Sequence, residues 1–228
     1  MKKLIIAIDG PAGSGKSSIG DMLAERLGYA HISTGSIYRA IGWKAHQCGI
    51  SLADVPALVH LIEETTIEFR RNADGSLAVV LDGNDVSHAI TTNEAGMFAS
   101  TVAAIPEVRT GLLSLQRQAG KNGGVILDGR DIGTVVFPDA DAKFYLDASA
   151  EARAKRRFLQ LQEQGREANL EQLIHDIKKR DFDDSNRAVA PLRKADDAMP
   201  IDSTNMSREE VVNTMQEYID RLSDRAAS

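Results

Sequence analysis

The sequence predicts an α/β fold, a parallel core sheet flanked by helices, with a small antiparallel insert. Three observations predict it. Short apolar runs alternate with stretches of helical spacing, as in strands joined by crossover helices. The first apolar run, Leu4–Ile8, stops at a glycine-rich segment that opens the first helix. Between about residues 65 and 88 the rhythm changes to short strands separated by turn residues.

Taken in order, Leu4–Ile8 is a buried strand. Ser17–Leu27 has helical spacing, with Ile19, Leu23 and Leu27 on one stripe and Gly28 as its stop. Ala30–Ser33 is a second strand and Thr34–Gln47 a second helix. Ile67–Arg71, Leu77–Leu81 and Asp85–Val86 read as the insert's strands, with turns at Ala73–Gly75 and Asp82–Asn84. Helices follow at 107–119, 150–164, 169–182 and 207–224. Further strands are Val125–Asp128, Lys143–Asp147 and Met199–Asp202, the last weakened by Pro200.

The 228 residues suffice for one large domain or one with inserts. A net charge of −6 argues against generic nucleic-acid binding. The single cysteine, Cys48, excludes an internal disulfide, suits a reducing compartment and reads as a packing or surface residue. Two lysines before Leu4–Ile8 imitate the start of a signal peptide, but that run is too short for an h-region or a membrane span. The expectation is a cytoplasmic protein with no membrane partner.

Gly10–Ser18, GPAGSGKSS, fits G-x-x-x-x-G-K-[ST], between a strand and a helix as a P-loop requires. Backbone N–H groups of Gly10, Pro11, Ala12, Gly13, Ser14, Gly15, Lys16, Ser17 and Ser18 (all but the proline) are available to ATP phosphates, helped by the helix dipole. Lys16 brings a point charge to the β- and γ-phosphates, and Ser17 offers a hydroxyl to Mg²⁺. Three classes share such a loop: small-molecule kinases, switch GTPases and motor ATPases. No Asn-Lys-x-Asp guanine reader is present. A motor would usually be longer and take an arginine from a neighbour, whereas arginines are abundant here in cis.

From Arg153 to Lys194 there are eleven basic and seven acidic side chains in an otherwise acidic chain. Such a cluster suits phosphoryl transfer, which must neutralise spreading negative charge. In the helix at 150–164, Ala154, Phe158 and Leu161 form an apolar stripe with Arg153, Arg156, Arg157 and Gln160 beside it. The short link 163–169 to the next helix resembles a lid. There, Leu173 and Ile177 define an inward stripe that Arg180, Asp184 and Arg187 extend. Buried charges need partners; a nucleotide's ribose and phosphate suit them, and so does a mutual salt-bridge network. On the acceptor side stand Thr34, a helix cap, then Arg39, Ser100, Arg109, Arg130 and Asp131.

GPAGSGKSS, TGSIYR at 34–39, DGRDIGTVVFPDA at 128–140, RAKRR at 153–157 and RDFDDSNRAVAPL at 180–192 together resemble the bacterial cytidylate kinase family, over essentially the whole chain. The resemblance implies transfer from ATP to CMP or dCMP, with Mg²⁺. It implies ATP on Gly10–Ser18, the monophosphate on Arg39 and Arg130, and the base on Ser100, Arg109 and Asp131. Arg180, Asp184 and Arg187 would take sugar and phosphate, with Arg153 and Arg157 near the transferring group and Arg156 beside them. Thr34 and Gly129 fall within the matched motifs. Asp128 either holds water around Mg²⁺ or orients the arginines. The family often carries Asp where Ser33 stands, which puts that acid's role in doubt. The alternatives are a kinase for another small acceptor and a nucleotide-dependent switch. The expected organisation is one monomeric kinase unit: core 1–39, 107–152 and 188–228, monophosphate-binding insert about 40–106, lid about 153–187.

Overall fold

The computed structural model describes residues 3–72 and 77–227, without the side chains of residues 71, 93 and 223–227. Two compact units emerge, Met1–His31 with Gly123–Ser228, and Ile32–Asn122.

The first unit carries β1 (Ile5–Asp9), α1 (Lys16–Leu27), and the start of β2 (Ala30–Ser33). After the second unit it continues with β6 (Val125–Gly129), a π turn (Ile132–Val136), β7 (Ala142–Asp147), α6 (Ala150–Glu163), α7 (Leu170–Asn186), β8 (Met199–Asp202) and α8 (Arg208–Ala227). The parallel five-stranded sheet has the order β2-β6-β1-β7-β8. β1 lies at its centre, with Ile8 beside Asp128 on one side and Phe144 on the other. Ile6, Ala7 and Ile8 are all fully buried, as expected of a strand covered on both faces. Phe144, Leu146, Leu23, Val212 and Met215 fill the adjoining core. Each such side chain contributes roughly 1.5–3 kcal/mol through burial. Pro200 is tolerated because β8 is an edge strand, bonded only to β7.

The second unit holds α2 (Thr34–Gln47), α3 (Val55–Glu63), β3 (Ile67–Arg71), β4 (Leu77–Leu81), β5 (Asn84–Asp85), α4 (Asn93–Ala103) and α5 (Pro106–Gly120). β3, β4 and β5 form the expected antiparallel sheet. Its core combines Ile37, Ile41, Leu58, Val79, Leu81, Val102 and Leu112.

Several expectations needed correction. The last insert strand is Asn84–Asp85 rather than Asp85–Val86. Asp82 (φ 49°) and Gly83 (φ 82°) alone make a two-residue turn, so Asn84 already pairs with Leu81. The turn expected at Ala73–Gly75 lies outside the described residues. Thr34 is the first helical residue of α2, and Ser33 occupies the cap position. α7 runs past residue 182 to Asn186, started by the Asn169 side chain accepting from the Gln172 N–H at 3.0 Å. Two helices were overlooked. α3 is capped by Asp54, which accepts from the Ala57 N–H, and α4 by Thr92, which accepts from the Ala95 N–H.

Candidate active site

The first unit concentrates its polar chemistry at the C-terminal ends of β1 and β6, where open α/β sheets receive ligands. β1 ends at Asp9, and the loop begins at Gly10. A Cβ at Gly10 would overlap the Leu146 carbonyl, so only glycine lets the backbone pass. The loop ends at Gly15 (φ 96°), the cap of α1, which as a glycine brings no side chain of its own to the first helical N–H groups. A helix N-terminus left open in this way is prepared for an anion. Lys16 is buried; its Nζ donates to the Pro11 carbonyl at 2.6 Å and lies 3.4 Å from Ser14 Oγ. Burial, and then the Arg130 charge, hold its ammonium well below the usual lysine range.

Asp128 sits near the end of β6, buried, accepting from His31 Nε2 at 2.8 Å, with Ser17 nearby. Burial alone would raise its pKa, but the bond and charge of His31, with Lys16 and Ser17, hold it below the usual range. Burial would lower the His31 pKa, but bonds to Asp128 and Asp21 outweigh it and raise the ring to about 9. Beyond Gly129 the chain turns, and Arg130 Nε donates to Asp184 Oδ2 at 2.8 Å. Arg187 approaches Asp131 at 3.8 Å and Asp184 at 3.9 Å. The α7 stripe therefore does carry charges inward, and Arg130, Asp131, Asp184 and Arg187 form one network. Burial would raise the Asp184 carboxyl, but Arg130, Arg180 and Arg187 keep it ionised. Arg180 also acts on Asp184, and guanidinium groups are well shaped for an anionic ligand.

Arg153 is almost fully buried beneath the phosphate loop. It donates from Nη1 to the Ala12 carbonyl at 3.0 Å, from Nε to Ala148 at 2.8 Å, and in bidentate fashion to Asp181. Arg156 holds Ser203, and Arg157 Nη1 donates to Gln160 at 2.7 Å.

The second unit presents Thr34, Arg39, Ser100 and Arg109. Thr34 and Arg109 are buried, Arg39 half-buried and Ser100 exposed on α4. Arg109 is fixed by the Ala103 carbonyl at 3.1 Å and by the Tyr38 ring, whose centroid lies 5.4 Å from Cζ.

Three residues were missed from sequence. Asp181 orients Arg153, and His31 reaches Asp128. The third is Asp9, whose two carboxylate oxygens accept from the Ile132 and Gly133 N–H groups, both at 2.7 Å. Asp9 thereby pins the π turn that follows Asp131. Its position at a strand end beside a glycine loop was the available cue.

Burial raises Asp9 to about 6 against the partial relief of those two N–H groups. Between the unfolded value near 3.8 and about 6 the folded chain holds the extra proton, so this group's contribution to stability falls as pH rises through that window. The unfolding free energy of wild type minus that of Asp9→Asn should fall by about 2–3 kcal/mol from about pH 4 to pH 7, measured by urea titration. An unchanged difference would remove the carboxylate from this role.

The cytidylate kinase family model matches residues 6–221. The chain belongs to the cytidylate kinase family. Cytidylate kinase of Caldicellulosiruptor saccharolyticus is 50% identical over 217 residues, covering 95% of this chain and 96% of that protein. Those of Geobacter sp. strain M21 and Mannheimia succiniciproducens are each 49% identical, over 95% and 96% of this chain and 92% and 96% of theirs. A gluconokinase structure from Sinorhizobium meliloti aligns over 99% of this chain and 97% of its own at 14% identity and a TM-score of 0.49. Family membership makes the chain an ATP-dependent nucleoside monophosphate kinase and sets aside the switch-protein alternative. Among the described residues, no helix is long and apolar enough to cross a membrane.

Proposed function

We infer that this cytidylate kinase transfers the γ-phosphoryl group of ATP to a phosphate oxygen of CMP or dCMP, giving CDP or dCDP and ADP. The observation that carries the residue assignment is the pairing of an open phosphate loop with the adjacent Arg130–Asp131–Asp184–Arg187 network. ATP phosphates lie on the N–H groups of Gly10–Ser18, with Lys16 turning from the Pro11 carbonyl to the β- and γ-phosphates. Arg39 and Arg130 hold the acceptor phosphate. Ser100, Arg109 and Asp131 read the cytosine, whose amino group needs an acceptor. Arg180, Asp184 and Arg187 hold sugar and phosphate, Asp184 setting the angle of Arg130. Arg153 and Arg157 approach the transferring group from α6, Arg153 also holding the loop through the Ala12 carbonyl.

The acceptor oxygen is already anionic, so alignment and charge neutralisation suffice without a strong base. One P–O bond forms to the acceptor as the bond to ADP breaks.

Magnesium fits the donors present. Asp128 is held below the usual carboxyl range with Ser17 nearby, and among the described residues no cluster of three acidic, histidine or cysteine side chains could hold a metal alone. A magnesium ion takes one or two protein oxygens and completes its shell with phosphates and water. Ser17 and Asp128 are the residues that would hold it, and it would supply charge neutralisation on the β- and γ-phosphates. The same reading proposes a cytoplasmic monomer, because the arginines lie in cis. It also proposes an acceptor-binding segment near 40–106 and a lid near 153–187.

The test is coupled ADP release with CMP, dCMP, UMP, AMP and shikimate. Turnover should require CMP or dCMP and remain far lower with AMP and shikimate. Hydrolysis indifferent to every acceptor would refute the assignment.

A further inference from the structure

We propose that His31 is a positioning residue for the magnesium-nucleotide end of the active site: clamped between Asp21 and Asp128, its ring fixes the Asp128 carboxylate against Ser17. The proposal rests on the reading of Ser17 and Asp128 given above.

The geometry forms a closed circuit. Ser17 and Asp21 stand four residues apart on α1, on one face of the helix. Asp128 is the penultimate residue of β6, with Ser17 close enough to act on its carboxyl. His31, on β2, joins the two ends, with Nδ1 2.7 Å from Asp21 Oδ1 and Nε2 2.8 Å from Asp128 Oδ2. A carboxylate thus stands at each ring nitrogen and leaves the ring no freedom to turn. Its side chain is only 7% exposed and that of Asp128 5%, whereas that of Asp21 is 72% exposed. The bridge therefore connects a surface acid to a buried one. Gly20 makes room for it: a Cβ there would overlap His31 Nε2 and stand 2.6 Å from Cδ2. An aliphatic residue at 31 would fill the space but leave Asp128 free to rotate away from Ser17. Ring, glycine and both acids thus serve one orientation of one carboxylate.

The experiment measures ADP affinity of the full chain with EDTA and with Mg²⁺, for wild type, His31→Leu and Asp21→Asn. The magnesium-dependent gain in affinity should fall about tenfold in His31→Leu and about threefold in Asp21→Asn, as for other residues that orient a metal-side ligand. Metal-free ADP affinity should stay within about twofold in both, since the phosphate loop is untouched. Variants that keep the whole magnesium gain, or that lose metal-free and magnesium-dependent affinity in parallel, would overturn the clamp. A wild type with no magnesium gain would overturn the reading of Ser17 and Asp128 as well. Should His31→Leu not fold, the exposed Asp21 variant carries the comparison.

Discussion

Replacing Lys16 with alanine is expected to lower kcat by about a thousandfold, the scale seen when one charge-stabilising donor is removed from a transition state. The ammonium is the compact charge nearest the open helix N-terminus of α1, and it is already buried. Its hydrogen-bond partners lie within the same loop, the Pro11 carbonyl and Ser14 Oγ. Removing it therefore leaves the β1 and α1 packing intact, and thermal unfolding should shift by only a few degrees. Burial and Arg130 make the free ammonium unfavourable, and a triphosphate supplies the missing anion. Coupled ADP release at saturating ATP and CMP measures the effect. Near-normal turnover in a folded Lys16→Ala chain would show that the charge is supplied elsewhere.

Asp131→Ala is expected to raise KM for CMP by about 10- to 100-fold, the range for losing a hydrogen bond to a charged group. KM for ATP should change little, because the phosphate loop is a separate set of donors. Cytosine offers an amino donor where a thymine-type ring offers a carbonyl oxygen. An ionised carboxylate accepts from the first and repels the second, so the variant should also lose preference for CMP over UMP. Arg187, 3.8 Å from Asp131, keeps Asp184 as a neighbour and stays paired in the variant. Steady-state kinetics with both pyrimidine monophosphates check this. Equal KM values before and after substitution would assign base reading to another residue.

Much of this was legible in the sequence because it is local. β2, α2 and β8 begin and end where the pattern places them. The phosphate loop carries its own spacing, and the stripe Leu173, Ile177, Arg180, Asp184 follows from helical periodicity. What was not legible joins distant residues. His31 and Asp128 are 97 positions apart, and Asp9 and Gly133 are 124 apart. No spacing rule announces such pairs; the strand order β2-β6-β1 sets His31 beside Asp128, and the turn after β6 brings Gly133 to Asp9 at the end of β1. The π turn at Ile132–Val136 had no sequence signature either, since it depends on the Asp9 carboxylate. α3 and α4 differ, because Asp54 and Thr92 were readable caps that the apolar pattern overshadowed. Arg153 is joined to Ala12 and to Asp181, contacts 141 and 28 positions apart that helical spacing alone does not announce.

On the proposed reading, two separate sets of residues hold donor and acceptor. Calorimetric titration of CMP, and separately of a non-hydrolysable ATP analogue, into Lys16→Ala and Asp131→Ala tests it most directly. The expected pattern is crossed: Lys16→Ala keeps CMP affinity and loses the analogue, while Asp131→Ala keeps the analogue and loses CMP. Parallel loss of both ligands in either folded variant would contradict it.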